Sequence, residues 1–159
     1  MRPVTEADAA PLADMFAHGS VSIWWGYWDI ERVRSELIEL DDDTVVFAIE
    51  FDGDTIGIVQ YDEENQPDYR HASIDIALHP DWHGRGLGAD AVRTVARFLF
   101  EERGHHRITI DPAATNERAI RSYSGVGFRP VGVMRQYERG PDGAWHDGLL
   151  MDILRNDLK

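Results

Sequence analysis

The stretch "HGRGLG", His83 to Gly88, lies between a strand-like run and an amphipathic helical pattern. Unpaired backbone N–H groups at the positive end of a helix dipole make such a place an anion site. Its glycines let the backbone approach a phosphate without a Cβ clash, and Arg85 adds a mobile positive charge. A second stretch, "IWWGYWD", gathers Trp24, Trp25, Tyr27 and Trp28 around one glycine. Indole faces attract cations and stack on sugar rings, contributing roughly 0.5–2 kcal/mol each when desolvated. The same rings could equally pack a helix pair against a sheet. Both readings stand at this point, and a split is expected, with at least two of the four in the core.

Phosphate loops of several kinds share a glycine-rich turn. A nucleoside triphosphate loop needs Gly-Lys followed by Ser or Thr, and no Gly-Lys pair occurs in the chain. The dinucleotide fingerprint needs a third glycine where "GRGLGA" has alanine, and a hairpin pattern precedes the loop instead of a βαβ start. The turn resembles a third kind, the acyl-coenzyme A loop Q/R-x-x-G-x-G/A of the GNAT acetyltransferases, with His83 at the first position in place of Gln or Arg. Further along, "TNERAIRSYSGVGF" resembles the family's second pattern, N-x-x-A-x-x-x-Y-x-x-x-G-F, through Asn116, Ala119, Tyr123, Gly127 and Phe128. The resemblance spans nearly the whole chain, read as a single domain over residues 1–159. Within the family, "WWG", "SID", "GRGLG", "TIDPAATNERAIRSY" and "WHDGLLMDIL" are most similar to the aminoglycoside 6′-N-acetyltransferases.

That resemblance implies an acetyl-CoA-dependent N-acetyltransferase with the GNAT fold, a mixed and mostly antiparallel sheet with about four helices. The coenzyme pyrophosphate would rest on the loop formed by His83, Gly84, Arg85, Gly86, Leu87, Gly88 and Ala89. The pantetheine arm would lie along Ile76, Ala77 and Leu78. Asn116 and Ala119 would border it, and Tyr123 would face the sulfur. A phenol of pKa about 10 is protonated at neutral pH and can donate to a leaving thiolate. An amine must first lose a proton, since free alkylamines sit near pKa ~10. Asp75 would receive that proton, directly or through water, and Asp111 would stand at the mouth where parallel strands splay. The segment holding Trp24, Trp25 and Tyr27, with Trp28 nearby, would line the acceptor cleft. The implied acceptor is a small amine, with an aminoglycoside 6′-amine as best guess. Another amine (a polyamine, a siderophore precursor or a protein N-terminus) and a non-catalytic acyl-CoA-binding module are the alternatives. A homodimer is common for the fold, and the closing hairpin with Trp145 is the place to look for one.

The elements that must position these residues read as follows. Apolar positions Ala9, Leu12, Ala13 and Phe16 give a helix over 6–18, and Val33, Leu37 and Leu40 a second over 29–40 with Asp29 as N-cap. "TVVFAIEFDGDTIGIVQYD" is a hairpin about Asp52–Asp54, and "HASIDIALH" alternates as a third strand. Residues 88–103 form a helix, "RITID" a strand, residues 116–126 a helix ended by Gly127, and two strands close the chain around "RGPDG". The class is mixed α/β.

Composition bounds the function. With 159 residues and 43% apolar content, the chain supports one cored domain. Sixteen basic against 29 acidic residues leave a net charge of −13, which disfavours nucleic acid. That charge suits a polycationic acceptor, and it also serves plain solubility. No cysteine is present, so disulfides, a catalytic thiol and thiolate zinc sites are excluded. The cysteine content fits a cytoplasmic setting, and neither a secretory signal nor a membrane span is expected. Seven histidines show no metal spacing; they are read as surface or cleft residues, and no metal is expected. Arg118 and Arg121 could meet nucleotide phosphates, and the run Asp41–Asp43 reads as a polar helix end.

Overall fold

The structure, a computed structural model, describes residues 1–40 and 44–159; the run Asp41–Asp43 lies outside them. The elements in order are β1 (Arg2–Pro3), α1 (Ala9–Ala17), α2 (Gly19–Trp25), α3 (Ile30–Val33), β2 (Thr44–Phe51), β3 (Asp54–Glu64), β4 (His71–Leu78), α4 (Leu87–Glu101), β5 (Arg107–Ile110), α5 (Glu117–Val126), β6 (Arg129–Arg139) and β7 (Trp145–Leu154). Among the described residues the strands form one sheet in the order β1-β2-β3-β4-β5-β7-β6. Among these described strands only the β4–β5 contact is parallel.

Period-two alternation sends the two faces of the sheet to different helices. Ile74 on β4, Ile108 and Ile110 on β5, and Met151 and Ile153 on β7 pack with Val92, Val95 and Leu99 of α4 and Val126 of α5. On the other face, Val46, Ile58 and Ala77 meet Leu12, Met15 and Phe16 of α1, Val21 of α2 and Val33 of α3. Two expectations are corrected here. Between the two expected helices, where the aromatic stretch carried no helix assignment, residues 19–25 form the additional helix α2, started by the His18 ring accepting from Ser20 N. The helix expected over 29–40 is capped by Asp29, whose carboxylate accepts from Arg32 N at 2.9 Å. It runs as α only to Val33 and then widens into a π turn over Arg34–Ile38.

The feature that matters most for function is a split in the sheet. β4 pairs with β5 only at Ala72↔Ile108 and Ser73↔Thr109. Beyond Ile110 the chain follows β7 instead, with Leu149 N donating to Pro112 O and Ala114 N to Asp147 O, each at 2.8 Å. Among the described residues, the β4 edge from Ile74 to Leu78 therefore has no strand partner on that side. A sheet edge of this kind can accept an extended ligand through main-chain hydrogen bonds.

Among the described residues no helix is long and apolar enough to cross a membrane. The histidine expectation also needs correction at His105. It is buried, with Nε2 placed 2.6 Å from Glu63, which also pairs with Arg103 at 2.7 Å. The Arg103 hydrogen bond, aided by His105, holds the Glu63 carboxyl down to about 2.

Candidate active site

A cleft of about 990 Å³ opens at the split between β4 and β5. It has two halves of different character.

One half is built from the β4 edge and the loop that follows. Ile76, Ala77 and Leu78 line it, as do His83, Gly84, Gly86, Leu87, Gly88 and Ala89. Gly84 and Gly86 take φ of 75° and 80°, a left-handed conformation that glycine adopts without strain, and Gly86 is the residue from which α4 starts. A Cβ built on Gly84, Gly86 or Gly88 would meet nothing within 4 Å, so the loop faces open space. Open backbone at the N-terminus of a 15-residue helix fits a pyrophosphate, and the free β4 edge beside it fits a pantetheine arm. The residues present thus suit acyl-coenzyme A. Arg85 does not line the cleft; its guanidinium lies over the Trp82 ring, 4.6 Å from the centroid. Asn116 caps α5 by accepting from Ala119 N at 3.2 Å, which leaves its amide N–H groups available to the cleft. Arg118 and Arg121 are also in the wall, the latter paired with Glu117 at 3.0 Å.

Tyr123 projects from α5 to the junction of the two halves and is 9% exposed. Burial and the nearby Asp75 charge push its phenol above the ordinary tyrosine value. It is therefore a protonated donor throughout the neutral range.

The other half is acidic and aromatic. Asp75 sits on the β4 face opposite Ile74 and Ile76. Its cross-strand neighbour Gln60 donates to it at a long 3.4 Å. Burial, then the charge of Asp111, raises its carboxyl to about 6. Asp111 follows β5 into the gap and is raised by burial as well, while Tyr137 directs its hydroxyl at it. That contact in turn pushes the Tyr137 phenol up to about 12. Glu138 completes the set and is raised by burial and by Asp111. Carboxylates that hold one another's protonation up are under-compensated, and a cationic ligand relieves them.

The four aromatics divide. Trp24 and Trp25 are partly buried and line the cleft. Trp28 touches the cleft but serves mainly as core, at 8% exposure. It stacks on Phe16 at 4.5 Å and donates its indole N–H to Trp25 O at 2.8 Å. Tyr27 points away, 65% exposed and outside the cleft wall.

Arg32, Tyr137 and Glu138 were not anticipated from sequence. Arg32 reaches the cleft by lying over Trp28, 4.6 Å from the ring centroid. Tyr137 and Glu138 arrive through a bulge. Met134 pairs with Gly148 and Glu138 with His146, so β6 carries two more residues than β7 across that interval. Gln136 takes φ of 50° there, and its N–H donates to Asp147 Oδ1 at 2.8 Å. A bulge of this type re-aims side chains. Glycine is the usual cue for positive φ, and the stretch "MRQYE" has none. Among the described residues no group of three or more acidic or histidine side chains is arranged to hold a metal ion.

Comparison with known proteins agrees with this geometry. The family model described as "Acetyltransferase (GNAT) domain" matches residues 1–129. The aminoglycoside N(6′)-acetyltransferase type 1 of Klebsiella pneumoniae is 27% identical over 162 residues, covering 90% of this chain and 78% of that protein. The spermidine N(1)-acetyltransferase of Escherichia coli strain K12 is 24% identical, covering 98% and 86%. The crystal structure of the aminoglycoside acetyltransferase AAC(6′)-Ib in complex with coenzyme A superimposes with a TM-score of 0.78 at 26% identity, over 98% of this chain and 94% of that one. The split sheet, the glycine loop and the matched family model together make this chain a member of the GNAT family of acetyl-CoA-dependent N-acetyltransferases.

Proposed function

We propose that the enzyme acetylates a primary amine of a small polycationic acceptor, the 6′-amine of an aminoglycoside fitting best, by direct attack in a ternary complex. The observation that carries this reading is the pairing of Asp75, Asp111 and Glu138 with Trp24 and Trp25 in one cleft half. Several ammonium groups and apolar sugar faces need that combination. Relatives named for aminoglycoside acetylation support the choice.

Acetyl-CoA supplies an activated acetyl thioester. The chain's residues do the rest. The loop N–H groups from Gly84 to Ala89 hold the pyrophosphate, and the β4 edge holds the pantetheine in line. Asp75 binds the incoming ammonium and takes its proton, directly or through one water. The amine nitrogen then bonds to the acetyl carbon as the carbon–sulfur bond breaks, and the second proton that the nitrogen sheds passes to the leaving thiolate, which departs as the free thiol. Tyr123 donates a hydrogen bond to the departing sulfur. Asp111, held by Tyr137, and Glu138 bind other ammonium groups of the acceptor. No covalent enzyme intermediate is required, and the chain has no cysteine to form one.

A second reading, a linear polyamine as acceptor, draws support from the same three carboxylates and from the relative named for spermidine acetylation. Product analysis separates the two. With an aminoglycoside and acetyl-CoA, one added acetyl group is expected by mass, and proton and carbon NMR should place it on the 6′-nitrogen. Acetylation at a ring amine would retain the acceptor class and reject the regiochemistry.

A further inference from the structure

The first loop position carries His83 where the family pattern has Gln or Arg, and both of its ring nitrogens are engaged within the protein. Nε2 lies 2.7 Å from the Leu78 carbonyl, at the end of β4. Nδ1 lies 2.5 Å from Nη1 of Arg118 on α5. A guanidinium only donates and a carbonyl only accepts, so Nδ1 must offer its lone pair and Nε2 must carry the hydrogen. The neutral ring satisfies both contacts in one tautomer. An imidazolium cannot, because its second N–H would face the guanidinium and place two positive charges at contact distance.

The surroundings favour the neutral form. The charged and titratable groups facing the ring are Arg118 from α5, His79 from the turn after β4, and His18 before α2. Asp14 and Asp81 approach His79 at 3.9 and 3.8 Å. Burial, with the Arg118 charge, holds His83 below the usual histidine value against the opposing pull of the Leu78 carbonyl.

Arg118 belongs to the same cleft wall as Gly84 and Gly86. Arg121 is paired with Glu117 and Arg85 lies over Trp82, whereas Arg118 is steadied by a neutral partner that leaves its charge uncompensated. We infer that His83 is a positioning residue: in its neutral form it ties Arg118 to the end of β4 as a cation for the coenzyme phosphates, and on protonation it releases Arg118. Coenzyme affinity then carries an acid limb that belongs to the protein. The inference rests on the coenzyme half of the proposed site and not on the acceptor, so binding of coenzyme A alone tests it.

Coenzyme A is titrated calorimetrically into the wild type, His83→Gln and Arg118→Ala at pH 7.5 and 5.5. Glutamine offers a donor to Leu78 and an acceptor to Arg118 but does not titrate in this range. A phosphomonoester of the ligand changes charge near pH ~6, and that contribution is common to the wild type and His83→Gln, which both keep Arg118. The wild type is expected to lose severalfold more affinity on acidification than His83→Gln, approaching the roughly tenfold worth of one charge-assisted contact as the ring becomes fully protonated. Arg118→Ala should bind about tenfold more weakly than wild type at pH 7.5 and show no excess acid loss. An acid loss in His83→Gln as large as in the wild type would overturn the inference, as would wild-type affinity in Arg118→Ala at pH 7.5. Failure of the wild type to bind coenzyme A at pH 7.5 would instead reject the coenzyme assignment of the loop, and the inference with it.

Discussion

Asp75→Asn lowers kcat/KM for the amine acceptor by about 10²–10⁴-fold, the usual worth of a positioned general base. Asparagine keeps the shape and the contact to Gln60 but can neither take a proton nor offer a full charge. In the wild type the kcat/KM profile should rise with pH through about 6, as Asp75 ionises. The variant should lose that limb. The same substitution should stabilise the fold. Asp75 binds protons more tightly in the folded state, at about 6 against an ordinary aspartate value of 3.8. Between those values the native state holds more protons than the unfolded one, so stability falls as pH rises through the window and stays lower above it. Removing the charge should recover on the order of 1–3 kcal/mol at pH 7. Thermal unfolding at pH 7 and pH 4 checks this: Asp75→Asn should exceed the wild type at pH 7 and match it more closely at pH 4. A carboxylate kept for structure would give the opposite sign, with activity little changed and stability lost.

Tyr123→Phe is the second large effect. The hydroxyl lies at the meeting point of the coenzyme and acceptor halves, and burial keeps it protonated. Deleting it removes a hydrogen bond that matters as negative charge builds on sulfur. That stabilisation is made in the transition state and not in the ground state, so kcat should fall by about 10²–10³-fold. Coenzyme affinity, measured by calorimetry, should change by less than about threefold, since such a change is under ~1 kcal/mol. The ring packs near Phe128, centroids 6.3 Å apart, and phenylalanine preserves that contact. An unaltered kcat would remove Tyr123 from the mechanism and leave it a core aromatic.

Much of this site was legible because its residues sit in local patterns. The alternation of Ile74, Ile76 and Leu78 places Asp75 on the other face of β4 without further information. The glycines of "GRGLG" mark a strand-to-helix turn, and Asn116 reads as a helix start whether or not it also meets a ligand. What sequence left open is what tertiary packing decides. Four aromatics of similar type are sorted by where α2 meets α1: Trp28 falls on Phe16, Trp24 and Trp25 face the cleft, and Tyr27 falls outside. Tyr137 and Glu138 reach the acidic half through a bulge pinned by the Asp147 carboxylate, eleven positions from the Gln136 N–H that it accepts. His105 is drawn inside by Glu63, 42 positions away. Nothing local to either residue announces the partner.

The measurement that tests the central claim most directly compares two aminoglycosides that differ at one atom. Thiol release from acetyl-CoA is followed with a 6′-amine compound and with its 6′-hydroxyl counterpart, with spermidine alongside. Enzyme-dependent release with the 6′-amine compound, and background rate with the hydroxyl, is the predicted result. Equal release with both aminoglycosides would place the reaction at another amine. Release with spermidine alone would move the acceptor to the polyamines and contradict the account.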